Sequence, residues 1–182
     1  MTFIAQSDAY DHIAALTICN EGTIRDWVRH AKFNVTQGKN WDKSAAIGPW
    51  LVPFTDPAQL DDCRIITRVN GEVRQDDVVS RMMHPIRRQI EYISTFMALQ
   101  PGDIIVTGTP TGSGARLDPP KYLVPGDVVE VEVTNLGRLT NTVQDVPAPA
   151  TDVGHDPTDT DAVRRVALGG DWWAEQDAKD AK

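Results

Sequence analysis

Cysteine is scarce in this chain: among 182 residues there are two, Cys19 and Cys63. They have no Cys-x-x-Cys spacing, and the opening residues carry neither the basic nor the apolar region of a secretory leader. A disulfide framework is thereby excluded, and buried free thiols are expected. Histidine is equally sparse. His12, His30, His84 and His155 share no metal-ligand spacing, which leaves them structural or solvated roles. Clustered positive charge is missing too. Eighteen Lys and Arg are scattered among 26 Asp and Glu, for a net charge of -8, which excludes nucleic acid and anionic membrane surfaces as partners. No segment approaches the roughly 18 uninterrupted apolar residues of a membrane span. A soluble, cytoplasmic protein is expected.

What the chain does have is enough apolar content, 41%, to bury the core of one domain. The run from His12 to Cys19 reads as a strand, and Gly22-Thr23 then opens a helix through Ile24, Trp27 and Val28. Residues 33–47 turn polar and Gly-containing, which fits a long functional loop, and a further strand starts at Gly48-Pro49-Trp50. Asn70-Gly71 is a strong hairpin signal, because both residues tolerate the positive φ of a tight turn, so strands are expected at 64–69 and 72–78. Pro85 opens a second helix along Ile86, Ile90, Ile93, Phe96 and Met97, closing near Pro101-Gly102 and covering a sheet face. A short strand at 103–106 should run into the loop Thr107-Gly108-Thr109-Pro110-Thr111-Gly112. The alternation of Val and Glu over 128–133 gives a half-exposed strand, with 139–143 pairing back to it. The fold class is therefore α+β, mainly antiparallel, with two short helices and no internal repeat. Residues 147–182, rich in Asp and Thr, read as an acidic, mobile tail, with Val163, Val166, Leu168, Trp172 and Trp173 as its possible anchors.

Three stretches could carry chemistry. In Asn20-Glu21-Gly22-Thr23-Ile24-Arg25-Asp26, a carboxylate at a strand end precedes a cation by one helical turn, a pairing that suits a hard metal and an anion. The same acidic residues would also favour a helix N-terminus, with Arg25 and Asp26 a solvated pair, and spacing alone leaves that alternative open. Lys39, in Gly38-Lys39-Asn40-Trp41-Asp42, could stabilise an enolate or carboxylate, or could be an ordinary exposed lysine. Thr109 offers a hydroxyl to an anionic oxygen, yet a simple tight turn uses the same residues.

In their order, these blocks resemble the catalytic domain of the fumarylacetoacetate hydrolase superfamily. The resemblance rests on Asn20 to Asp26, Gly38 to Asp42, Gly48 to Trp50, Val69 to Glu72, Leu99 to Gly112 and Pro125 to Glu132, and covers roughly residues 8–146. The Cys19-Asn20 to Asp26 wording and the Phe96-Met97 helix end are similar to the branch of 2-hydroxyhepta-2,4-diene-1,7-dioate isomerase and 5-oxopent-3-ene-1,2,5-tricarboxylate decarboxylase.

The resemblance implies a mixed β-sandwich or β-roll, a homodimer, and a Mg2+ or Mn2+ ion. The ion would be held by Glu21, where the family usually has Asp, and by a Glu-x-Glu pair on an upstream strand. It implies further that Lys39 and Thr109 contact the oxyanion and carboxylate of a 2-oxo or 2-hydroxy acid, with Arg25 assisting. Glu130-Val131-Glu132 has the Glu-x-Glu spacing but sits on the wrong strand of the pattern. By this reading residues 1–146 are a catalytic domain incomplete on its N-terminal side. The chain is then a fragment, a subunit completed by a partner chain that supplies the Glu-x-Glu, or a degenerate paralogue. The implied activity is isomerisation or decarboxylation of dienoic diacids in aromatic catabolism, with C–C hydrolysis of an acylpyruvate as the enzymatic alternative.

Overall fold

The computed structural model describes residues 2–28, 35–61 and 63–146, so the expected acidic tail lies outside the described residues. The chain divides into two compact units, one made of Met1–Asn20 and Ala46–Asp145, the other containing Glu21–Ala45.

The larger unit is built on β-sheets, the four-stranded one antiparallel throughout. Strands β1 (Ala15–Glu21) and β2 (Ala45–Pro53) form one pair. Strands β3 (Arg64–Val69), β4 (Glu72–Val78), β5 (Val128–Val133) and β6 (Gly137–Thr142) form a second sheet in the order β4-β3-β5-β6. The Asn70-Gly71 turn is as expected, with φ of 51° and 80°, and β3 and β4 match their expected spans. Asn70 is tied down further: its side-chain amide donates to Asp127 Oδ1 at 2.8 Å and its Oδ1 accepts from the Val128 N–H at 2.8 Å.

The period-two alternation of β5 sends Val129, Val131 and Val133 inward. Val131, Val133 and Leu139 meet Ile18 from β1, together with Cys63 and Leu136, so the two sheets share one core. Burial drives this contact, at roughly 25 cal/mol per Å2 of apolar surface removed from water. Burial also pushes the Cys63 thiol pKa up, as a buried structural thiol requires, while Cys19 is only half-buried. His12 and His84 are exposed.

The other face of β5 carries charge. Arg68 donates to Glu132 at 2.7 Å, and Arg138 bridges Glu130 and Glu132, each at 3.0 Å. Hydrogen bonding from Arg68, then from Arg138, holds the Glu132 carboxyl below its ordinary value. A carboxylate whose pKa falls on folding adds stability above its unfolded pKa and loses it as pH drops through the folded value. Arg68→Met is therefore expected to raise the Glu132 titration midpoint toward the unfolded range, as followed by side-chain carboxyl NMR. An unmoved midpoint would contradict the pairing.

Helix α3 (Ile86–Phe96) buries Ile90 with Ile4 and Ala9, flanked by Ile13, Leu99 and Ile105. The fully buried Ser94 fastens the N-terminal segment: its Oγ accepts from the Ile4 N–H at 2.9 Å and donates to Glu91 O at 3.0 Å.

Several expectations need correction. The first strand begins at Ala15, because His12 ends a 3-10 turn, Ala9–His12. Helix α3 stops at Phe96, since Met97 is extended, and its buried face uses Ile90 and Ser94 while Phe96 and Met97 are exposed. Residues 103–106 form no strand ladder. The described part of the 33–47 loop contains a helical turn, α2 (Thr36–Lys39), and β2 starts at Ala45. The helix opened after Gly22-Thr23 is seen as α1 (Arg25–Val28). No helix among the described residues is long and apolar enough to cross a membrane.

Candidate functional site

Three of the four expected site residues fall in the smaller unit, and the local fold explains how they converge. Where β1 ends, the Gly22 N–H donates to Ser44 O at 2.9 Å. A Cβ on Gly22 would lie 2.3 Å from that same oxygen, so the chain closes here only with glycine. The Ile24 N–H then donates to Gly38 O at 2.9 Å, and a Cβ on Gly38 would run into Val28 Cγ2 at 2.0 Å. α1 and α2 thus press together at Gly38, with Trp27 set edge-on against Trp41 at 5.0 Å between ring centroids.

The outcome is that Lys39, the last residue of α2, brings its Nζ to 3.1 Å from Glu21 Oε2. Both side chains keep access to water, with 28% and 39% of their surface exposed. Arg25 is half-buried, and its Nε is buried with no hydrogen-bond partner among the described residues. A buried guanidinium N–H left without a hydrogen bond is costly, and an anionic ligand would satisfy it. An open depression in the same unit is lined by Trp27, Thr36, Gln37, Asn40, Trp41 and Asp42.

Thr109 lies in the larger unit, on the loop that follows residues 103–106. With no ladder to hold it, this loop is held by two glutamine side chains that sequence reasoning did not single out. Gln89 Nε2 on α3 donates to Thr107 O at 3.0 Å and His84 O at 2.8 Å. Gln75 Nε2 on β4 donates to Thr109 Oγ1 at 2.8 Å and Pro110 O at 2.7 Å. The loop end is pressed onto the same strand, since a Cβ on Gly112 would sit 1.9 Å from Arg74 O. Nothing in the strand alternation marks Gln75 beforehand. The only available sign was a neutral polar side chain at a position that proved 9% exposed.

A divalent metal tests the donor set directly. Among the described residues no three His, Cys, Asp or Glu side chains gather as a metal cluster. Glu130 and Glu132 are occupied by arginines. Glu21 offers a hard, water-accessible carboxylate next to Lys39. It fits as one ligand of a cation that takes carboxylates and retains waters, and it does not constitute a whole site.

Comparison with known proteins shows which family the fold and sequence resemble. The family model for the fumarylacetoacetate hydrolase C-terminal domain matches residues 1–144. An oxaloacetate tautomerase of Bacillus subtilis is 41% identical over 143 residues, covering 78% of this chain and 47% of that protein. A crystal structure of a probable 2-hydroxyhepta-2,4-diene-1,7-dioate isomerase from Mycobacterium abscessus superposes with a TM-score of 0.75 at 34% identity, covering 81% of this chain and 56% of that one. A fumarylpyruvate hydrolase from Pseudomonas aeruginosa, solved with Mn2+ and pyruvate, gives 0.69 at 27% identity, covering 79% and 59%. The chain spans about half the length of the curated relatives it matches.

Proposed function

Because the chain belongs to the fumarylacetoacetate hydrolase family, we propose that it acts on small 2-oxo or 2-hydroxy-dienoic diacids, of the kind released by aromatic ring opening, as an isomerase or decarboxylase. The observation that carries this reading is the Lys39–Glu21 pair at 3.1 Å, with the Nε of Arg25 in the same unit left without a partner among the described residues.

A half-exposed ion pair holds its partners weakly, by about 0–1 kcal/mol, so Lys39 exchanges its carboxylate for an incoming anion at little cost. Its ammonium then shares the charge that grows on the 2-oxygen as a proton or a carboxyl group leaves the neighbouring carbon. The Arg25 guanidinium, in the same unit as Lys39, binds the acid's carboxylate oxygens, and the Thr109 hydroxyl, in the larger unit, is a donor to an anionic oxygen by family resemblance. Glu21 is the residue of this chain that would hold Mg2+ or Mn2+, whose bound form supplies Lewis acidity toward the 2-oxygen. The remaining ligands come from outside the described residues, in a homodimer or from a partner chain supplying a Glu-x-Glu.

The same enolate serves keto–enol tautomerisation, a reading favoured by the 41% identity to an oxaloacetate tautomerase. It also serves C–C hydrolysis, favoured by the likeness to a fumarylpyruvate hydrolase. Incubation with magnesium and each substrate separates the three. A shifted dienol absorbance or released carbon dioxide supports the first reading, loss of the oxaloacetate enol band the second, and two cleaved acids the third. A non-catalytic subunit would turn over none of them. It would also show no magnesium-dependent rise in stability, whereas a ligand at 100 times its dissociation constant adds about 2.7 kcal/mol. Glu21→Gln is expected to weaken magnesium affinity by at least tenfold, the lower end of what even outer-shell changes cost. A calorimetric titration giving equal affinities would remove Glu21 from the site.

A further inference from the structure

We infer that Gln75 is the positioning residue that sets the hydrogen-bond polarity of Thr109, turning its hydroxyl hydrogen toward the open side of the loop and making that position selective for an anionic oxygen. This rests on the reading of Thr109 as a substrate contact.

The inference follows from counting donors and acceptors. Pro110 O is a carbonyl and accepts only, so the Gln75 atom 2.7 Å away is the amide nitrogen and not its oxygen. One of the two amide hydrogens is thereby committed. The same nitrogen lies 2.8 Å from Thr109 Oγ1, and its second hydrogen points there. The threonine oxygen thus receives a hydrogen bond on its Gln75 side, and its own hydrogen must be directed away from it. Thr109 is exposed, so the direction left over faces the open side of the loop.

Gln75 is well placed to impose this choice. It is 9% exposed, on a strand where it pairs with Thr67 of β3 beside a register shift that skips Arg74, and the loop is pressed onto that adjacent residue by the close approach of Gly112 to Arg74 O. Gln89 fixes the upstream end through Thr107 O. A neutral amide in this place favours an anion over a donor. A carboxylate there would reverse the arrangement by drawing the Thr109 hydrogen inward.

The test uses the full chain and oxalate, a dianion shaped like a 2-oxo acid enolate, with binding measured by calorimetry in the presence of magnesium. Gln75→Met removes both donors, and Gln75→Glu inverts the polarity. Affinity is expected to fall in the order wild type, Met, Glu. The Glu variant should lose about tenfold to a hundredfold, the scale of a hydrogen bond to a charged group. In a Thr109→Val background the same two substitutions should change affinity by less than about threefold, because there is no hydroxyl left to orient. If both variants cost as much without the hydroxyl as with it, Gln75 merely supports the loop and the inference is overturned. If Gln75→Glu binds like wild type while Thr109→Val is weakened, the inference also fails, though the substrate role of Thr109 stands. If Thr109→Val binds oxalate as tightly as wild type, or the wild type binds none, the underlying reading fails and takes this inference with it.

Discussion

Lys39→Ala is expected to lower turnover by about 10^2- to 10^3-fold, the effect of removing one preorganised donor from a developing oxyanion. The thermal midpoint should hardly move. The two outcomes separate because of where the side chain sits: it ends a helical turn, keeps 28% of its surface exposed, and forms an ion pair with Glu21, itself 39% exposed. Such a pair is worth at most about 1 kcal/mol to the fold. The turn itself is locked by Gly38 against Val28 and by the Ile24 N–H to Gly38 O bond, neither of which involves the lysine side chain. Steady-state rates and a melting curve on the same preparation decide the matter. Turnover within threefold of wild type would remove Lys39 from the chemistry, and a collapse of the melting midpoint would show the residue to be structural.

Gly112→Ala is expected to have the largest effect on stability, a loss of about 3 kcal/mol or more, by two mechanisms that can be separated. The residue has φ of 107°, a backbone region that a residue with a Cβ adopts only under strain. Its added methyl would also lie 1.9 Å from Arg74 O, a backbone atom that cannot swing aside. Gly102 provides the control, with φ of 99° and nothing within 4 Å of a built Cβ. Gly102→Ala should therefore show the conformational cost alone, about 1–2 kcal/mol. Denaturant titrations of both variants measure the difference, and equal losses would mean that the Gly112 contact relaxes freely. Since Gly112 presses the Thr109 loop onto β4 beside Gln75, its replacement should weaken anion binding as well.

The hairpin was legible to the residue because everything that defines it is local. Asn70 and Gly71 both take positive φ, and Val69 and Glu72 pair directly across them. The strand expected at 103–106 illustrates the opposite case. Asp103-Ile104-Ile105-Val106 has the composition of a strand, but a ladder also needs a neighbour, and no local pattern specifies one. Gly38 misled for a different reason. Read as a loop signal, it belongs to a helical turn, where the missing side chain makes room for Val28.

In the candidate site, the block order led to Glu21, Lys39, Arg25 and Thr109, and the structure brings Glu21 and Lys39 into contact. Gln75 stayed hidden because its importance comes from partners more than 30 positions away, Thr109 and Pro110. A pattern along one strand does not register such a bond.

The Asn70-Gly71 turn also gives the molecule a chemical lifetime. An asparagine followed by glycine is the sequence most open to slow loss of ammonia, and here the amide at risk is the group that donates to Asp127. Hydrolysis to aspartate would replace that donor with a second negative oxygen 2.8 Å from the first. The bond that steadies the hairpin would become a repulsion, so aged preparations should loosen first where β3 turns into β4.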